Sequence, residues 1–310
     1  MGQDRPRGTW RMWRLGGVDY LVKPSLLLMC AVLVVVFTER FDGHTRTAPV
    51  IMAIGFVVGL YASVLIHEMA HVVAARSFGL RVRSVTLHLL GGETAIEGDS
   101  RRPAQELITA GIGPVASLAI GLVCRVVEPA TSGAVADLLW TIGTVNFVVA
   151  VFNLLPALPL DGGRVLRAII WATSGNEALG IKVAAWIGRL VAVVGVAGVG
   201  AAVVAGNLPV VNLVLAALIA AFIWVGADQS LRHADRSGRI NALSARAIAK
   251  PGTVPAAAPH LDADLHGTLL LREIAAHPAD QYAVTEPDGT FVGVLTLDDL
   301  DAAYRGDATP

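Results

Sequence analysis

VIMAIGFVVGLYASVLIHEMAHVVAA, residues 50 to 75, is an apolar run interrupted near its end by His67, Glu68 and His71. A bilayer hydrocarbon core about 30 Å thick takes roughly 20 helical residues, and this run is longer than that. Ionisable groups inside such a helix cost several kcal/mol each unless they are paired or bound to metal. Three of them so close together require a partner from elsewhere in the chain.

The composition places the rest of the chain in the same solvent. Of 310 residues, 54% are hydrophobic and 16% charged, against about 25% charged in soluble domains. An integral membrane protein is therefore expected. The net charge of -1 carries little information, because the charges are unevenly placed along the chain, and no nucleic-acid partner is expected. Cys30 and Cys124 both fall in apolar runs and form no C-x-x-C, so neither a disulfide framework nor a cysteine metal site is indicated. The start, MGQDRPRGTWRMWRLGG, is basic, but no small-residue cleavage site follows the next apolar stretch. Residues 1–20 are read as a cytoplasmic segment ahead of a retained first span, with Trp10, Trp13 and Tyr20 as interfacial anchors.

About six transmembrane helices are expected. They cover 21–38, 50–77, 103–124, 135–155 with an extension to about 172 broken at Pro156 and Pro159, 184–205, and 209–227. The stretch 81–98, RVRSVTLHLLGGETAIEG, is too short and mixed to span and reads as a membrane-associated β-hairpin turning at Gly91-Gly92. With the N-terminus inside, the outer loops hold only Arg40, Arg46 and Arg125 while the inner side holds the remaining cations of the membrane part, so both termini are expected in the cytoplasm. Preference for Arg over Lys suggests a bacterial cell membrane. Residues 228–241 read as a helical linker, and 242–305 as a small α+β module with an Asp288-Gly289 hairpin turn and a helix capped by Thr296.

On a helix, residues four apart share a face, so His67 and His71 can present two imidazoles to one metal with Glu68 alongside. A catalytic zinc needs a third protein ligand and an open position for water. Asp161, in FNLLPALPLDGGRVLRA, is the strong candidate. Pro156 and Pro159 break the helix before it, and Gly162 and Gly163 are expected to lend the backbone freedom. Glu106, Glu93 and Glu97 are the other acids near the membrane, and His88 is expected at the surface rather than as a fourth ligand. Gly111, Gly113 and Ser117 suit close helix packing.

HEMAH, GPVAS (Gly113–Ser117) and NLLPALPLDGG (Asn153–Gly163) together resemble the site-2 protease family of intramembrane zinc metalloproteases, over about residues 8 to 227. The resemblance implies one Zn2+ held by His67, His71 and Asp161, with Glu68 as catalytic base. It implies cleavage of a transmembrane protein substrate within the lipid bilayer, in bacteria often of anti-sigma factors or other signalling proteins. Asn153 is a candidate for an oxyanion donor or a substrate contact, the alternative being an interhelical hydrogen bond. The hairpin is a candidate for pairing with an unwound substrate, or for simply capping the core.

GVLTLDDL (Gly293–Leu300) resembles the signature of a CBS domain, which implies contacts of Thr296 and Asp299 with an adenine nucleotide. The alternative is a helix cap alone. One such unit is found where the family uses pairs, so either a homodimer forms through it or ligand binding is lost. Against the protease stands a metal-binding membrane protein without proteolysis, a transporter or an inactive scaffold. A transporter should spread its ionisable groups along a path, whereas these cluster at one depth.

Overall fold

The structure is a computed structural model and describes residues 8–41, 49–89, 91–98, 100–253 and 258–306. The chain divides into two compact units, Met1–Asp228 and Gln229–Pro310. The first is mostly helical: α1 (Ser25–Phe41), α2 (Pro49–Ser77), α3 (Pro103–Val127), α4 (Ala134–Asn153), α5 (Asp161–Ser174), α6 (Glu177–Val204) and α7 (Val210–Ala242), the last running on into the second unit. Among the described residues five helices are long and apolar enough to cross a membrane. They are α2, α3, α4, α6 and α7.

Two expected spans differ. The first, 21–38, is divided: Val18–Val22 forms a strand, and α1 covers Ser25–Phe41. The extension of the fourth span is a separate helix. α4 ends at Asn153, residues 154–160 form a turn, and α5 starts at Asp161 as a short amphipathic helix. The interruption follows from Pro156 and Pro159, which remove amide donors and clash with a continuing helix.

The expected hairpin exists within a larger element. A four-stranded sheet has the order β1 (Trp10–Leu15), β2 (Val18–Val22), β3 (Arg81–His88), β4 (Gly91–Glu97). β1 and β2 join through Gly16 and Gly17, both at positive φ, the requirement of a tight hairpin turn. β2 pairs with β3 in parallel, Tyr20 opposite Val85. Tyr20 is thus a core residue at 4% exposure, with Trp13 stacked on it at 5.5 Å, and only Trp10 and Trp13 remain exposed as anchors would. Gly91 and Gly92 are not the turn: they open β4, opposite His88 and Leu87. One face of the sheet, through Val18, Tyr20, Val82 and Val85, packs on Val72 and Ala75 of α2.

Small residues and buried polar contacts interlock the helices. A Cβ on Gly121 of α3 would stand 3.2 Å from the Gly143 carbonyl of α4, so these two glycines set that crossing. Gly111, expected in this role, faces open space. Asn146 of α4, fully buried, donates to Ser63 Oγ of α2 at 3.2 Å and to the Ile142 carbonyl at 2.9 Å.

The second unit contains α8 (Ala245–Ile248), β5 (His260–Asp262), α9 (Gly267–Ala276), β6 (Gln281–Thr285), β7 (Phe291–Thr296) and α10 (Leu297–Arg305). β5 lies parallel to β6, and β6 antiparallel to β7 around Asp288-Gly289, with Gly289 at φ 85°. Leu261, Leu270, Tyr282, Val284 and Leu295 form its core. Gly293 lets the Lys250 backbone come alongside β7: a Cβ there would stand 2.7 Å from the Lys250 carbonyl.

Candidate metal centre

The helical period of α2 puts His67 and His71 on one face, their rings 4.9 Å apart. The two Nε2 atoms stand 3.2 Å from each other. Asp161, first residue of α5, places Oδ2 3.1 Å from His67 Nε2 and 3.3 Å from His71 Nε2. One ligand atom from each residue thus falls within 4.8 Å of the others. His67, His71 and Asp161 are therefore brought together as the sequence motifs suggest, across 94 residues of chain.

The remaining ring nitrogens decide which atoms face the centre. His71 Nδ1 donates to the Thr109 carbonyl at 2.6 Å, which can only accept, so in the neutral ring Nε2 carries the lone pair. His67 Nδ1 is hydrogen-bonded to Ser117 Oγ at 2.9 Å. Metal-ligating histidines are held in this way, the far nitrogen fixing the ring so that the near one points at the ion. Two ring nitrogens and a carboxylate oxygen that converge to 3.1–3.3 Å of one another make a donor set that fits zinc. Gly113 of α3 completes the cradle, since a Cβ there would stand 2.5 Å from His71 Cε1 and 2.6 Å from His67 Nε2. Ser117 and Gly113 read as packing residues in the sequence; their closest business is with the imidazoles.

Asp161 is aimed by the turn before it. Ala157, Leu158 and Leu160 are buried, and glycines surround the turn. A Cβ on Gly163 would stand 2.7 Å from the Ala157 carbonyl, one on Gly188 of α6 2.8 Å from the Leu158 carbonyl, and one on Gly226 of α7 2.6 Å from Pro159 Cδ. Gly162 is as tight, against the Leu154 carbonyl. Gly162 and Gly163 are ordinary helical residues, not among the glycines at positive φ. Close approach, not backbone freedom, explains them.

Glu68 lies outside this cluster of candidate ligands and meets β4. Its Oε2 accepts from Thr94 Oγ1 at 2.6 Å, and Gly92 lies so close that a Cβ would stand 2.7 Å from its carboxylate carbon. The hairpin thus touches the candidate base, a contact no local motif announces. Asn153 ends α4, half-buried, and enters no hydrogen bond with His67, Glu68, His71 or Asp161. His88 closes β3, half-buried and outside the ligand cluster, where burial and the Lys23 ammonium push its pKa below the usual value. Glu93 and Glu97 are exposed on β4.

In the second unit, Thr296 and Asp299 serve each other. Thr296 Oγ1 accepts from the Asp299 amide at 3.1 Å and donates to Asp299 Oδ2 at 2.7 Å, while Lys250 Nζ approaches Oδ1 at 2.6 Å. Lys250 first and Thr296 next hold the Asp299 carboxyl below the usual carboxylate range. This is a complete helix cap. Thr296→Ala is expected to destabilise the second unit by about 1 kcal/mol, read as faster hydrogen exchange of the α10 amides.

His67, His71 and Asp161 thus form a cluster that could hold a metal ion, with Glu68 adjacent, in a unit whose helices are long enough to cross a bilayer. Comparison with known proteins agrees. Residues 55–135 and 125–197 match the model of peptidase family M50. A protein of Mycobacterium tuberculosis named as the zinc metalloprotease Rip3 is 34% identical over 91% of this chain and 72% of its own. The zinc metalloprotease sll0528 of Synechocystis sp. is 30% identical over 94% of this chain and 76% of its own. A solved structure, the site-2 protease from Methanocaldococcus jannaschii, shares the fold with a TM-score of 0.53 and 24% identity, covering 72% of this chain and 95% of that one. The chain belongs to peptidase family M50, the site-2 protease family of zinc metalloproteases. It is a multi-pass membrane protein, and its metal is zinc.

Proposed function

We propose that this protein hydrolyses peptide bonds within the transmembrane segments of membrane-anchored signalling proteins, anti-sigma factors among them, with His67, His71 and Asp161 as zinc ligands and Glu68 as base. The observation that carries the reading is the convergence of His67 Nε2, His71 Nε2 and Asp161 Oδ2 at 3.1–3.3 Å inside a bundle of apolar helices. Zinc held by these three residues would supply an acidified water and polarise the peptide carbonyl. Glu68 is placed to take up a proton as general base and to return it to the leaving amine as general acid. Thr94 fixes the carboxylate meanwhile through Oε2.

A helical substrate hides its scissile bonds and must be unwound to be cut. β4 supports such a step, because it is an edge strand of its sheet and carries Thr94, the partner of Glu68. Asn153, at the end of α4 before the turn that aims Asp161, is proposed to meet the substrate backbone or the oxyanion. The cation distribution supports both termini in the cytoplasm of a bacterial cell, with the second unit as a CBS-like regulator. Adenine nucleotide binding at Thr296 and Asp299 would accompany pairing of two such units in a homodimer, since the cap must exchange partners to admit a ligand.

The test is reconstitution in vesicles with single-span model substrates, mapping products by mass spectrometry. Cuts inside the apolar segment are expected, and cuts confined to the flanking water-exposed residues would refute intramembrane hydrolysis. Separately, Asp161→Ala is expected to lower zinc affinity by at least ~10–100-fold, on the scale known for weaker disturbances of a metal site. Full zinc occupancy in that variant, measured by atomic absorption after dialysis against a chelator, would remove Asp161 from the site.

A further inference from the structure

The two oxygens of Asp161 meet different surroundings. Oδ2 faces the imidazoles, while Oδ1 faces the guanidinium of Arg164, one turn along α5, at 3.9 Å. Arg164 is held from its other side, where Nε donates to Glu106 Oε1 at 3.0 Å. Glu106, at the start of α3, is 3% exposed, and its Oε2 accepts from the buried Ser100 Oγ at 2.7 Å. Arg167 Nη1 lies 3.9 Å from Oε1 and its guanidinium also pairs with Glu177 of α6. A carboxylate so buried persists only with such partners. The chain Ser100–Glu106–Arg164 therefore begins in α3 and its approach and ends on the oxygen of a candidate ligand that the metal does not need.

We propose that Arg164, anchored by Glu106, is a positioning residue that keeps Asp161 a one-oxygen zinc ligand. The inference rests on the assignment of His67, His71 and Asp161 as the ligands. Carboxylates bind metals through one oxygen or two. A second Asp161 oxygen at the ion would add a fifth donor beside the water that a catalytic zinc holds and crowd the position it keeps open. The guanidinium opposes this by attracting Oδ1 toward itself. Glu106 holds the guanidinium in place and offsets its charge, so that the clamp does not set an uncompensated cation beside a dication. Arg suits the role better than Lys, because its planar fork meets two carboxylates in fixed directions.

The test replaces zinc by cobalt(II), whose visible absorption reports coordination number, and needs no substrate. The full-length protein in detergent is loaded to stoichiometric cobalt as wild type, Arg164→Met, Glu106→Gln and the double variant. The wild type is expected to show the intense bands of a four-coordinate ion, and Arg164→Met the weaker, shifted bands of a five-coordinate one. Glu106→Gln should shift the same way, and the double variant no further than Arg164→Met alone, because Glu106 acts through Arg164. Arg164→Met bands that coincide with those of the wild type would overturn the proposal and leave the cluster as a tie between α3 and α5. If Arg164→Met does not fold, the near-isosteric Glu106→Gln decides by the same criterion. Stoichiometric cobalt bound by Asp161→Ala would instead bring down the ligand assignment beneath it.

Discussion

Glu68→Gln is expected to reduce peptide hydrolysis by about 10²–10⁴-fold, the usual contribution of a positioned general base, while zinc content stays at the wild-type level. The two halves of this expectation come from different atoms. The proposed ligand atoms belong to His67, His71 and Asp161, and Glu68 is not among them. The amide oxygen of Gln can still accept the Thr94 hydroxyl that now bonds Oε2, and the change adds no volume against Gly92. The helix, the strand and the metal site should therefore persist while the proton acceptor is lost. Product formation from a single-span substrate in vesicles, with zinc measured on the same sample, checks both halves. Cleavage that survives at the wild-type rate would take the base away from Glu68.

How much of this was legible in the sequence depends on how local each feature is. His67, Glu68 and His71 lie within two turns of one helix, so their spacing alone puts them side by side. Asp161 was legible for a different reason: an acid behind two prolines, at the end of an apolar run, has few roles other than ligand or turn. The sheet was half legible. β3 and β4 are consecutive, but β2 pairs in parallel with β3 across more than sixty residues, and VDYLV reads equally as a buried strand or as the start of a span. The Gly16-Gly17 pair was the available signal for the first hairpin. Arg164 and Arg167 counted in the sequence as marks of the cytoplasmic side. Their bonds to Glu106 and Glu177 join three different helices, which no periodicity reports.

Gly113→Ala is expected to abolish zinc binding and activity together, with the fold retained. Alanine favours the helix over glycine by about 1 kcal/mol, so the change should not weaken α3 itself. The penalty falls on the rings opposite. A methyl group at 113 would stand 2.5 Å from His71 Cε1 and 2.6 Å from His67 Nε2, against the roughly 3.5–4.0 Å of a comfortable carbon contact. Relief requires both imidazoles to move about 1 Å. His71 cannot do so without leaving the Thr109 carbonyl, nor His67 without leaving Ser117. A displacement of that size at a catalytic centre costs on the order of 10²-fold in rate, before any loss of metal. Zinc content and peptide hydrolysis should fall together here, whereas Glu68→Gln separates them. A Gly113→Ala protein that held stoichiometric zinc after dialysis would mean that the rings have room the packing does not show. The open position beside Gly113 is thus as much a part of the site as the residues that donate to the ion, because only a missing side chain leaves the two ring nitrogens free to converge.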